Sequence, residues 1–166
     1  MMSDHYAQYY QIAKEIILHE SFLKQKDYYH HTSNLYEHAV LVSYYAYRLA
    51  KKLKLDSESV IRGALLHDFF LYDWRVEGKK VKKRLFRKHG FTHAKTAYLN
   101  ATQYFEINKK EKDIILKHMF PLNIKPPRYL ESWLVNMVDN VITFREYFKR
   151  KKVSGILAYI EEKEKA

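Results

Sequence analysis

The chain of 166 residues contains no cysteine, which excludes a disulfide framework and any metal site built on thiolates, and fits a reducing compartment. A metal site here must draw on histidine and carboxylate. Only four glycines and three prolines are present, so breakers of regular structure are scarce, and sustained apolar/polar alternation is missing, which leaves strands little support. No uncharged apolar run approaches the roughly 18 residues that cross a bilayer. The opening Met1-Met2-Ser3-Asp4-His5-Tyr6 lacks the basic and apolar regions of a signal peptide, so a cytoplasmic protein without membrane association is expected. Repeats, low-complexity tracts and Pro/Ser-rich linkers are also lacking, and one domain over 1–166 is expected, large enough to bury roughly 70% of its unfolded surface.

Acidic side chains are outnumbered, 19 against 30 basic ones, giving a formal charge of +11 and a field that attracts phosphate-bearing partners or nucleic acid. The excess is concentrated between Arg75 and Lys88, where Arg75, Lys79, Lys80, Lys82, Lys83, Arg84, Arg87 and Lys88 face one acid, Glu77. That run reads as a solvated helix face, a nucleic-acid patch or a phosphate-binding rim.

Helical periodicity predicts an all-α bundle of seven or eight helices. The first covers about Asp4 to Lys26. The second follows Ser33 or Asn34 and turns Leu35, His38, Val42, Tyr45, Ala46 and Leu49 inward. A third, capped at Asp56 to Ser59, includes Ile61, Ala64, Leu65, His67, Asp68 and Leu71, with Gly63 marking a close helix approach. Thr92 caps a helix through Phe105, and Asn108 caps another through Met119 that Pro121 ends. Pro126 or Pro127 opens a long helix with Asp139 in its interior, and Gly155 interrupts or begins the last one. The core spans about 34–148, with an N-terminal helix in 1–33 and a C-terminal helix or tail in 149–166.

Within this pattern stands an ordered series of potential ligands: His38, His67-Asp68, His89, His118 and Asp139. The doublet sits in Leu65-Leu66-His67-Asp68-Phe69-Phe70-Leu71, and a carboxylate among leucines and phenylalanines needs a strong partner to offset its desolvation. A divalent cation held with nearby imidazoles is such a partner. His5, His19, His30 and His31 lack comparable context and are assigned nothing. Tyr72 and Trp74, just beyond the doublet, are placed to stack on a base.

A His, a His-Asp doublet and a distal Asp on separate helices resemble the HD superfamily of metal-dependent phosphohydrolases, matching His38, His67-Asp68 and Asp139 over roughly residues 34 to 148. The two intervening histidines, His89 in His89-Gly90-Phe91-Thr92-His93-Ala94 and His118, are similar to those of subfamilies with dinuclear centres. Among these the chain looks most like HD-type hydrolases of symmetrical dinucleoside tetraphosphates, with Arg145 six residues past Asp139. It departs from that pattern at His93, where a small residue is common, in its rich basic run, and in Met119-Phe120-Pro121 after His118.

The resemblance implies an HD-type bundle in which His38, His67, Asp68 and Asp139 hold one divalent metal and Asp68, His89 and His118 a second, with Asp68 as the bridge. It implies iron, although manganese, nickel or cobalt suit the ligands equally. Two such cations can hold a bridging hydroxide and clamp a phosphoryl group, so cleavage of a phosphoester or phosphoanhydride in a small nucleotide-like substrate is expected. Arg75, Lys79, Lys80, Lys95 and Arg145 are candidates to bind phosphates and neutralise charge developing in the transition state. His93 is a candidate to protonate a leaving group or contact substrate, with a packing role as the alternative. The competing readings are a metal-containing module that binds or senses a nucleotide or nucleic acid without turnover, and oxygen chemistry at a di-iron site.

Overall fold

The computed structural model describes residues 2–30, 33–70, 86–148 and 155–165. The fold is all-α, as expected. Eight α-helices are present among the described residues: α1 (Met2–Ile17), α2 (Glu20–Leu23), α3 (Leu35–Leu53), α4 (Ser57–Leu66), α5 (Phe86–Tyr104), α6 (Lys109–Lys117), α7 (Leu130–Phe148) and α8 (Gly155–Lys165). A 3-10 turn at Lys24–Asp27 follows α2, and two-residue strands at Tyr29–His30 and Ser33–Asn34 form a small antiparallel pair ahead of α3.

Local chemistry accounts for the boundaries. The expected first helix breaks after Ile17 because His19 is extended (φ −69°, ψ 133°) and its ring accepts from the Ser21 amide, which starts α2. Asn34, Asp56 and Asn108 cap α3, α4 and α6 by accepting backbone N–H groups near the helix starts, and Asn108 with Glu111 completes a capping box. Thr92 is interior to α5, which begins at Phe86, ahead of the expected cap. α7 starts at Leu130 rather than at the prolines, where Asp113 of α6 accepts from the Arg128 and Tyr129 amides and the Ser132 hydroxyl. Gly155 begins α8. Tyr45 is 40% exposed instead of inward, while its neighbour Tyr44 is buried among Tyr6, Tyr9 and Tyr47.

α4 is the hub, packing on α1, α3, α5, α6 and α7. Its buried Val60, Ile61, Ala64, Leu65 and Leu66 join α3 residues such as Val40, Val42, Ala46 and Tyr47 in two adjoining apolar clusters. In the middle of α4, Arg62 donates to the buried Glu111 of α6 (2.9 Å) and to Glu15 of α1 (2.6 Å). Lys110 joins Asp56 to Glu131, the latter 6% exposed. These pairs fix α1, α4, α6 and the N-terminal end of α7 at one end of the bundle, leaving the C-terminal ends of α4 and α6 side by side.

Their spacing is set by Gly63, as the sequence suggests. A Cβ there would stand 2.7 Å from Ile114 Cδ1 and 3.1 Å from Ile114 Cβ, too close for the helices to keep their separation. Gly63→Ala should therefore destabilise the fold by about 1–3 kcal/mol through overpacking; an unchanged urea midpoint would show that the α4–α6 contact yields freely.

Candidate metal centre

One turn beyond the Gly63–Ile114 contact, both helices stop and present a histidine. His67 caps the C-terminus of α4, and its Nδ1 donates to the Ala64 carbonyl at 2.6 Å. His118 caps α6 in the same way, Nδ1 donating to the Ile115 carbonyl at 2.7 Å. Each ring thus satisfies one of the carbonyls that a helix end leaves over, and the bond fixes the tautomer so that the Nε2 lone pair faces away. The two rings stand edge to face, 5.0 Å apart.

Helix α4 ends before the doublet, unlike the expected helix running past it. Consecutive helical residues point about 100° apart, whereas the turn after Leu66, where the Phe70 amide donates to Asp68 O at 2.8 Å, brings Asp68 Oδ2 to 3.7 Å from His67 Nε2. Phe69 and Phe70 then enter the core and anchor the turn, and Asn100 of α5 donates to the Phe69 carbonyl (3.0 Å). His38, buried one turn into α3, lies with Nε2 3.1 Å from Asp139 Oδ1 in mid-α7; His67 Nε2 is 3.7 Å from the same oxygen. From α5, His93 Nε2 reaches Asp68 Oδ1 at 2.8 Å, its ring against Phe70. His118 Nε2 is 3.2 Å from that oxygen.

The donors fall into two triads, His38/His67/Asp139 and Asp68/His93/His118, each with its ligand atoms within 4.8 Å of one another. They are joined through the His67-Asp68 doublet. Five helices contribute side chains or flanking residues, and every ligand except His93 and Asp139 is buried.

Electrostatics prepare these atoms for a cation. Burial pushes the Asp68 carboxyl up, but the imidazoles of His67 and His93 and the His118 contact outweigh it and hold Asp68 well below the usual range. Asp139 behaves alike: burial raises it, and His38 and His67 draw it down. Burial lowers His67, so its imidazole stays neutral despite two nearby carboxylates. For His118 burial also pulls downward, but Asp68 wins and the net shift is upward.

Among the buried side-chain atoms of the described residues that lack a hydrogen-bond partner, two belong to this cluster, His67 Nε2 and His118 Nε2, the latter within ion-pair distance of Asp68. Orphaned buried nitrogens are rare and costly. Two carboxylates and imidazoles, without sulfur, form a donor set that fits divalent first-row metals, and a cation in each triad would satisfy both nitrogens. His38, His67, Asp68, His118 and Asp139, named from the sequence, are thus brought together.

His93, a candidate from the sequence to protonate a leaving group or contact substrate, completes the second triad. His89 lies in α5 but its side chain is outside the described residues, as are Arg75, Lys79, Lys80, Tyr72, Trp74 and the basic run up to Lys88. Lys95 is exposed and, two positions from His93, on a different face of α5. Arg145 is exposed near the end of α7. Sequence reading missed Asn136, a buried α7 residue three positions before Asp139. Its amide donates to the His118 carbonyl and, at 2.9 Å, to that of Phe120, tying the end of α6 to the helix that carries Asp139. Its only sequence signal is a polar residue on the inward face of an apolar helix.

An HD-domain family model matches residues 35–159. A Bacillus subtilis (strain 168) protein described as "Putative phosphohydrolase YueE" is 32% identical over 81 residues, 48% of this chain and 46% of that relative. The chain thus spans about half the length of the curated relative it matches. No solved structure matches the chain significantly.

Two outcomes test the centre. Asp68→Ala, which removes the carboxylate joining the triads, should cut the metal content of the purified chain to half or less by elemental analysis; full loading would remove Asp68 from the ligand set. Asn136→Leu should cost about 1–3 kcal/mol by leaving two carbonyls without their donor. It should also weaken metal binding about 10–100-fold in a chelator competition, whereas unchanged affinity would limit Asn136 to packing.

Proposed function

This chain belongs to the HD-domain family, and from that premise we propose that it is a metal-dependent phosphohydrolase cleaving a phosphoester or phosphoanhydride of a small, nucleotide-like substrate. The observation that carries the reading is the pair of triads joined at His67-Asp68 with two orphaned imidazole nitrogens. When bound, divalent ions in the triads would act as Lewis acids toward phosphoryl oxygens and lower the pKa of water. The similarity to a protein described as a phosphohydrolase supports the same reaction class.

The residues divide the work by position. His38, His67 and Asp139 form the inner triad, and Asp68 stands between it and the outer one, its negative charge maintained by the surrounding imidazoles. The partly exposed side chains are His93 (12%) and Asp139 (14%), so a phosphate reaches the centre from their side. Phe70, packed on the His93 ring, limits water behind it. Positive charge for the non-reacting phosphates comes in this reading from Arg75, Lys79, Lys80, Lys95 and Arg145. Iron is the metal favoured by the family resemblance, with manganese, nickel and cobalt compatible with the ligands.

No described helix is long and apolar enough to cross a membrane. The charge of +11 favours a second reading, a metal-containing nucleotide or nucleic-acid sensor. Phosphate release from a nucleotide panel that includes dinucleoside polyphosphates, measured on metal-loaded protein, separates the two. Turnover that Asp139→Ala lowers by about a thousand-fold or more is expected for the hydrolase. Full metal content with no turnover on any phosphate, together with salt-sensitive binding of nucleotide or nucleic acid, would move the sensor to first place.

A further inference from the structure

Helix α7 is apolar on two sides: one packs into the core, and the other carries large side chains that stay substantially exposed. Leu134, Val135, Val138 and Ile142 pack inward beside Asp139. On the other side, the exposed side chains between Leu130 and Phe144 are Leu130, Trp133, Met137, Asn140, Val141 and Phe144, none of them charged in a chain that is 30% charged. Leu130 is 68% exposed, Trp133 43%, Met137 51%, Val141 51% and Phe144 65%. A helix in water normally carries its polar residues there.

The spacing is regular. Leu130, Trp133, Met137, Asn140 and Phe144 are separated by three, four, three and four positions, the repeat of a coiled-coil seam, with Asn140 as the kind of single polar seam residue that fixes register. About 100° of rotation per residue puts Asp139 roughly opposite this seam. The loop before α7 adds Leu122 (69% exposed) and Ile124 (77%), and its Phe120 packs on Trp133 at 5.3 Å.

We propose that the outer face of α7 is where a second copy of this chain docks, the two α7 helices pairing along the seam about a two-fold axis. Three arguments favour a second copy over a different partner. A three-four repeat is self-complementary, so the same stripe on two copies interdigitates. Exposing about 100 Å² per side chain, roughly half of a large residue's surface, stripe and loop together approach the roughly 800 Å² per partner of a stable interface. Two chains of charge +11 repel each other, and this uncharged stripe is a face on which they can approach with little local repulsion. The dimer would clamp α7 from behind, opposite its ligand Asp139. The inference stands independently of the reaction assigned above.

The whole chain at tens of micromolar should sediment at twice its 20.1 kDa mass, and Met137→Lys should halve that mass while the helical circular-dichroism signal persists. Leu99→Lys, an equally exposed apolar position on α5, should leave the double mass intact. Met137 is midway along the seam, so parallel or antiparallel pairing brings the two copies of this position together. Because the chain has no cysteine, oxidised Met137→Cys should yield one disulfide-linked dimer. A wild-type monomer over that range overturns the proposal and leaves the face to another protein; so does a Met137→Lys chain of undiminished mass. If the lysine variant fails to fold, a wild-type dimer whose Met137→Cys form does not cross-link overturns it as well.

Discussion

Two carboxylates set among apolar helices, one buried and one at the edge of the core, are the constraint on which this structure depends. Asp68 is 5% exposed and lies between leucines and phenylalanines, and Asp139 sits within a helix whose neighbours pack inward. An isolated buried carboxylate would protonate instead of remaining charged. Here His67, His93 and His118 surround Asp68, while His38 and His67 approach Asp139, and both acids stay ionised. The imidazoles come from α3, α5 and the ends of α4 and α6, so the helices must converge for either charge to be tolerated. The two leftover ring nitrogens show that the compensation is incomplete with protein atoms alone, which is why the arrangement suits a cation.

Convergence depends on the contact between α4 and α6. Gly63 lets Ile114 approach, and four residues later on each helix, one turn along, His67 and His118 face each other. Each histidine is oriented by a carbonyl of its own helix, so ring placement follows helix placement. The same helix ends are then secured from outside, by Asn100 through the Phe69 carbonyl and by Asn136 through those of His118 and Phe120. A glycine and two amides do much of the positioning, and none of them is among the candidate ligands.

Much of this was legible in the sequence. His38, His67, Asp68, His118 and Asp139 were readable because a charged or imidazole residue in an otherwise apolar stripe conflicts with burial, and the conflict points to a shared partner. Asn108 and Asp56 announced their helices because capping is local chemistry. The end of α4 before the doublet was hidden, since Phe69 and Phe70 continue an apolar pattern that a helix and a buried turn satisfy equally. His93 was given an acid's role because His89 fits the family pattern, and four-residue spacing puts both on one helix face; which imidazole meets Asp68 depends on where α5 lies. The break at His19 and the outward turn of Tyr45 were set by tertiary packing and a side-chain cap that periodicity does not carry. Asn136 looked like an ordinary polar residue, because its partners are carbonyls of another segment.

The pairing of His38 with Asp139 joins residues 101 positions apart, and that separation has a meaning in time. A ribosome adding roughly 5–20 residues per second leaves an interval of about 5–20 s between the emergence of the first donor and the last. For part of it, the His67-Asp68 doublet exists without α6 or α7 beside it, and a nascent chain can offer an ion only a partial, water-exposed set of ligands. The inner triad closes only when α7 docks. Capture of an ion at this site would thereby be tied to completion of the bundle, and a chain still being synthesised would have little means of retaining one in the wrong geometry.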